Sequence, residues 1–148
     1  MDNRARMEIE WECTTLSNAL SYFLDHRRYE DLAALFTHDG VFDRLGHVSR
    51  GRENLLQAMR ERSTNITTRH FTANYYFTHV DEKFAKAIVY NVTYVGDGGD
   101  DRALPLDHRF SRSVFIEFAD TYEKTSEGWR IAERIAKAII APKDFPGR

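Results

Sequence analysis

The sequence predicts an α+β fold, a curved antiparallel sheet of hairpins with helices covering one of its faces. Two observations predict it. Apart from one short strand, apolar residues recur at three- and four-residue spacing up to about Arg62, and at period two from there on. The helices also precede the long strands instead of alternating with them, which argues against a β-α-β layout.

The first helix is expected over residues 7–25, where Ile9, Cys13, Leu16, Leu20 and Phe23 or Leu24 form the apolar stripe. A short second helix is expected over 29–37 on Leu32, Leu35 and Phe36, with His38-Asp39-Gly40 as its stop. Residues 41–45 read as a short strand. Ser49-Arg50-Gly51 leads into a third helix over 52–62, with Leu55, Leu56 and Met59 on one side. Four long strands follow, over 69–80, 83–95, 109–122 and 128–140. Residues 96–108, with Asp97, Gly98, Gly99, Asp100 and Asp101, read as an open acidic hairpin loop. No Glu follows at the spacing of a Ca²⁺ loop, so a solvated connection is expected.

With 148 residues the chain makes one ordinary domain, 1–148, with its core at about 9–140 and an extended tail at 141–148. The tail could cover a pocket mouth or pack on a neighbouring subunit. The apolar fraction of 42% includes 10 Phe and 7 Tyr, which suits a packed core. A net charge of −2 offers no basic surface for nucleic acid. The single cysteine, Cys13, permits no internal disulfide and fits a reducing cytoplasm. The first residues are not followed by an uninterrupted apolar run, so neither a secretory leader nor a membrane span is expected.

Two residues stand out for chemistry. Asp25 ends the first helix, where a carboxylate opposes the helix dipole. Its bland alternative is a solvated helix end beside Arg27 and Arg28. His70 opens a strand and shares a face with Thr72, Asn74 and Tyr76, with Phe71, Ala73, Tyr75 and Phe77 opposite. That mixed wall suits a small-molecule pocket. Its bland alternative is a structural histidine. A carboxylate that holds an imidazole fixes its tautomer and stabilises the imidazolium, so the pair could move protons near neutral pH. Tyr22, Tyr90 and Asn91 are further pocket candidates. Arg134 shares a strand face with Arg130 and Ala132, against Trp129, Ile131 and Ile135, and parity leaves open which face is inside. His38, His47, His70 and His79 lack metal-ligand spacing, and there is no phosphate-binding glycine motif, so neither metal nor cofactor is expected. Cys13, inside the first helix, has no positioned base to make it a nucleophile.

The order of short motifs carries a resemblance. A helix ending in Asp25 is followed by Leu32-Ala33-Ala34-Leu35-Phe36-Thr37-His38-Asp39-Gly40. Then come Gly51-Arg52-Glu53, Thr68-Arg69-His70-Phe71 and Gly128-Trp129-Arg130-Ile131-Ala132-Glu133-Arg134. Over about residues 9–140 this resembles the SnoaL-like branch of the nuclear transport factor two-like superfamily. The resemblance implies a strongly bent sheet wrapped around a long helix, a cone-shaped α+β barrel (cystatin-like roll) with an internal pocket. The branch includes scytalone dehydratase, bile acid dehydratase, the hexachlorocyclohexane dehydrochlorinase and polyketide cyclases. In the dehydratases and the dehydrochlorinase a His–Asp dyad moves the proton. By position Asp25 matches the dyad's Asp, His70 its His, and Arg134 a pocket cation of the dehydrochlorinase. The chain also departs from its relatives. Leu20 stands where the dehydrochlorinase has Lys and bile acid dehydratase has Tyr. Leu24 stands where scytalone dehydratase has Tyr.

The resulting expectation is a cofactor-independent lyase or isomerase, with dehydration as the leading reaction, acting on a small apolar cyclic substrate. His70 would be the base, Asp25 its orienting partner, and Arg134 or a Tyr the stabiliser of a departing or enolate oxygen. The alternatives are a non-catalytic small-molecule binding protein of the same fold and the small subunit of a ring-hydroxylating oxygenase. The apolar alternation of the long strands leaves an outer sheet face to cover, so a homo-oligomer is expected. The resemblance suggests a trimer, with a dimer as the alternative.

Overall fold

The computed structural model of the chain describes residues 1–98, 103–104 and 111–145. Most of the predicted acidic loop and the predicted strand start at Arg109 lie outside them. The elements are α1 (Asn3–Asp25), α2 (Tyr29–Ala34), β1 (Phe36–Arg44), β2 (His47–Arg50), α3 (Arg52–Arg60), β3 (Ile66–Val80), β4 (Phe84–Asp97), β5 (Ser111–Thr125) and β6 (Gly128–Ile140). The fold is α+β, as predicted. Six strands form one curved sheet in the order β2-β1-β6-β5-β4-β3. β2 and β3 are its free edges, so the sheet is open and does not close into a barrel. Neighbours are antiparallel except β1 and β6, which run parallel.

α1 lies across the concave face. It buries Cys13, Ser17, Leu20, Ser21 and Leu24, a stripe at helical spacing. It starts at Asn3 instead of residue 7 because Asp2 caps it, accepting from the Ala5 N–H at 2.7 Å. The added turn is polar, so apolar periodicity does not show it. The long antiparallel strands bury alternate residues. On β4 Ala85, Ala87, Val89, Asn91 and Thr93 face inward.

The second helix is shorter than predicted. It ends at Ala34, and 36–40, including the predicted His38-Asp39-Gly40 stop, belongs to β1. Pairing with β6 overrides the local signal, and the Ile131 N–H donates to the Leu35 carbonyl at 2.9 Å. Gly40 allows the strands to approach. A Cβ there would meet Phe36 Cβ at 3.0 Å and the Ile131 carbonyl at 3.1 Å. The strand turns back through Leu45 and Gly46, both at positive φ, into β2, which is too short for a period to reveal.

Two bulges decide what faces the interior. On β3, Ala73 pairs with Tyr90 but Tyr76 pairs with Ile88, so the strand carries one extra residue, with Asn74 at φ 52°. On β6, Glu133 pairs with Thr121 but Ile131 pairs with Tyr122, which leaves Ala132 as the extra residue. Each bulge reverses the inside-outside alternation downstream of it.

Candidate active site

The end of α1 is tied to the start of β3. Arg27, at φ 57°, donates to the carbonyls of Ser63, Thr64 and Ile66 at 3.1, 3.2 and 2.7 Å. Arg62 donates to the Leu24 carbonyl at 3.2 Å, a helix-end acceptor that the Arg27 backbone N–H also reaches at 3.4 Å. This anchoring brings Asp25 opposite residues 68–70. Asp25 Oδ1 lies 2.6 Å from His70 Nδ1 and accepts from the Thr68 hydroxyl at 2.8 Å. Its Oδ2 accepts from the His70 backbone N–H at 2.9 Å. The pair is largely shielded, with side chains 6% and 12% exposed for Asp25 and His70.

An ionised carboxylate only accepts hydrogen bonds, so the contact puts the proton on Nδ1 and leaves a lone pair on Nε2. Burial pushes the Asp25 carboxyl up. The hydrogen bond and charge of His70, its backbone N–H and the Thr68 hydroxyl outweigh burial and hold Asp25 below its ordinary value of 3.8.

His70 lines a cavity of about 240 Å³ between α1 and the sheet. Leu20, Leu24, Phe42, Ile116 and Phe118 are part of its apolar wall, and Ser21, Thr68 and Thr93 add hydroxyls. Phe145 from the tail also lines it. The volume falls just below the range of about 300–1,000 Å³ common for ligand pockets, which suits a small ligand.

Arg134 also lines the cavity, because the β6 bulge turns it inward together with Trp129, Ile131 and Ala136. Its guanidinium is fully buried. Nε donates to Asp120 Oδ1 at 2.8 Å, and Nη2 donates to Asp120 Oδ2 at 2.5 Å and to the Ser17 hydroxyl. The Phe118 ring lies 4.3 Å from the guanidinium carbon. Tyr122 donates to Asp120 Oδ2 at 2.7 Å. Burial lowers the Arg134 pKa, but the Asp120 charge more than reverses that and keeps the group protonated. Among the described residues its buried Nη1 has no hydrogen-bond partner.

The remaining predicted positions divide by face. Thr72 and Asn91 point inward but stand behind the cavity wall in a polar ladder. The Ser21 and Thr72 hydroxyls are 2.7 Å apart, the Asn91 amide donates to Thr72 at 3.1 Å, and Thr93 donates to Asn91 Oδ1 at 2.6 Å. Asn74 and Tyr76 lie outside the cavity because the β3 bulge reverses the parity that grouped them with His70, and Tyr76 is 71% exposed. In their place Tyr75 and Phe77 turn inward and pack against the core. Tyr90 is on the outer face of β4. Tyr22 is on the outer side of α1, stacked on His26, and lines a surface groove between α1 and β3 that the Asp25–His70 pair also borders.

Asp120, Ser17, Thr68, Arg44 and Arg62 are site residues that sequence reasoning missed. For Asp120 the signal was present, since it shares strand parity with Val114, Ile116, Phe118 and Tyr122. Thr68 shares parity with His70, and Ser17 lies on the α1 stripe between Cys13 and Leu20. Among the described residues no group of three His, Cys, Asp or Glu side chains converges as metal ligands would. Among the described residues no helix is long and apolar enough to cross a membrane.

The fold recurs in known structures. A candidate scytalone dehydratase from Novosphingobium aromaticivorans is 19% identical, with a TM-score of 0.77 over 96% of this chain and 92% of that one. A hexachlorocyclohexane dehydrochlorinase from Novosphingobium barchaimii is 13% identical, with a TM-score of 0.79 over 95% and 93%. A protein described as an aromatic ring hydroxylase, also from Novosphingobium aromaticivorans, is 16% identical, with a TM-score of 0.75 over 90% and 91%. No match was found among curated proteins. At these identities the structures speak for the fold alone. The family model described as a SnoaL-like domain goes further, because it matches residues 5–135, which hold most of α1, the sheet, Asp25, His70 and Arg134. The chain therefore belongs to the SnoaL-like domain family.

Proposed function

We propose that the protein is a cofactor-independent lyase or isomerase, with dehydration as the leading reaction, acting on a small and largely apolar cyclic substrate. The observation that carries this reading is the 2.6 Å contact between Asp25 and His70 at the wall of a largely apolar pocket. His70 Nε2 takes a proton from a carbon next to a carbonyl. The C–H electron pair becomes the new double bond, the C–O bond breaks, and the departing hydroxyl leaves as water with the proton carried by the imidazolium. Asp25 holds the ring and stabilises its cationic form. Arg134 Nη1 donates to the oxygen on which charge develops. Leu20 and Leu24 line the cavity and supply no acid, so His70 serves as both base and acid. The dehydratase and dehydrochlorinase neighbours support a lyase-type or small-molecule-binding role.

A mass-spectrometric screen of cyclic alcohols and ketones tests the reading. The expected result is a product 18 Da lighter, or an isomer with a shifted retention time, formed by the wild type. A ligand that binds and returns unchanged from every incubation would sink the enzyme reading in favour of a binding protein. Leu20 and Leu24 are the observation in favour of that second reading. The small-subunit alternative draws support from the hydroxylase-like neighbour and predicts co-purification of a large iron-binding partner.

A homo-oligomer is part of the same proposal. Phe71, Tyr76, Tyr90 and Tyr94 leave an apolar outer sheet face exposed. A trimer is the expected assembly and a dimer the alternative.

A further inference from the structure

Arg44 and Arg62 line the same cavity as His70, and the mechanism above does not use them. Arg44 ends β1, and Arg62 follows α3. Among the described residues neither has a carboxylate partner, and no Asp or Glu lines the cavity. The third arginine of the lining, Arg134, is different, because Asp120 neutralises it. Arg44 Nε is buried with no hydrogen-bond partner among the described residues. Among the described residues Arg62 donates through Nη1 alone, to the Leu24 carbonyl and the Tyr29 hydroxyl. Burial and the charge of Arg62 both push the Arg44 pKa down, so the two guanidinium groups are close enough to repel each other. Two half-buried like charges with unused donors are unfavourable when the cavity holds no anion, and a bound anion relieves both the repulsion and the unmet donors.

We propose that the substrate carries a carboxylate, held by Arg44 and Arg62, with its apolar ring against the Leu20, Phe42 and Ile116 wall. This rests on the reading that the cavity is the substrate site, and it narrows the substrate class to small cyclic carboxylic acids. Planar guanidinium groups match a carboxylate bidentately.

Binding of benzoate and of its neutral isostere benzamide, followed by calorimetry, tests the proposal without requiring turnover. The wild type is expected to bind benzoate at least tenfold more tightly than benzamide. Arg44→Gln and Arg62→Gln should each erase most of that preference by weakening benzoate binding more than benzamide binding. His70→Gln should keep the preference, so a failed base mechanism and a failed carboxylate site give different results. Arg44→Gln should also melt at or above the wild-type temperature, because the repulsion is gone. If Arg44→Gln does not fold, the more accessible Arg62→Gln carries the same comparison. Equal affinity for the two probes, no benzoate binding at millimolar concentration, or inorganic phosphate displacing benzoate at lower concentration would each overturn the proposal.

Discussion

At the scale of single residues, Asp25 is held by three donors, two of them from His70. Its folded pKa is below its unfolded value, so the stability it contributes is present above the ordinary carboxylate pKa and is lost as pH falls through the folded value. Wild type should therefore exceed Asp25→Asn in urea midpoint at neutral pH, and the gap should shrink from about pH 5 downward. A gap that stays constant down to about pH 3 would show that the carboxylate is not held this way. Arg134 has a different energetic role. Truncating it to Ala strands Asp120 as a buried, uncompensated charge, and should cost about 3–5 kcal/mol by urea denaturation. A loss below about 1 kcal/mol would mean that Asp120 finds other partners or is solvated. Cys13 is fully buried, and burial, helped by the charges of Glu12 and Asp120, pushes its thiol up to about 12. The folded protein should therefore leave a thiol reagent unconsumed and react with one equivalent in urea.

At the scale of elements, the site was legible where periodicity stayed unbroken and illegible where a bulge broke it. Asp25 and His70 stood out in the sequence because one opposes a helix dipole and the other opens a strand opposite an apolar face. Their contact depends on Arg27 and Arg62 binding carbonyls far along the chain, which no local pattern shows. Strand parity left the side of Arg134 undecided, and the extra residue at Ala132 turns it inward. The extra residue at Asn74 likewise exchanges Tyr76 for Tyr75 on the inner face. β1 was half missed because its pairing with β6 is long-range and parallel, while 29–37 keeps a helical spacing. The β3 bulge makes its own prediction. Asn tolerates φ 52° and a β-branched residue does not, so Asn74→Val should cost about 1–2 kcal/mol and Asn74→Gly should not. Equal stability of the two variants in urea would contradict the bulge.

At the scale of the whole molecule, an open curved sheet with α1 across it makes one largely apolar pocket and one exposed apolar face. The inner space holds the imidazole, a guanidinium whose charge is met by Asp120, and two guanidinium groups that have no acid partner among the described residues. The outer face presents aromatic residues in pairs, with Phe71 against Tyr94 and Tyr90 against Phe115. Light scattering at micromolar concentration should give a trimer. A dimer would keep the covered face with a different symmetry, and a monomer would contradict it. The α+β layout was readable from the change of period near Arg62. A pocket was expected from the His70 strand face and from the resemblance, but its lining was not readable, because that depends on sheet curvature and on both bulges.

The most direct test of the central claim is the turnover number of His70→Gln on the first substrate that the product screen returns. The account predicts a fall of at least about 100-fold with an unchanged circular dichroism spectrum, the lower end of what general base catalysis contributes. A folded His70→Gln protein that turns over at the wild-type rate would remove His70 from the chemistry and contradict the account.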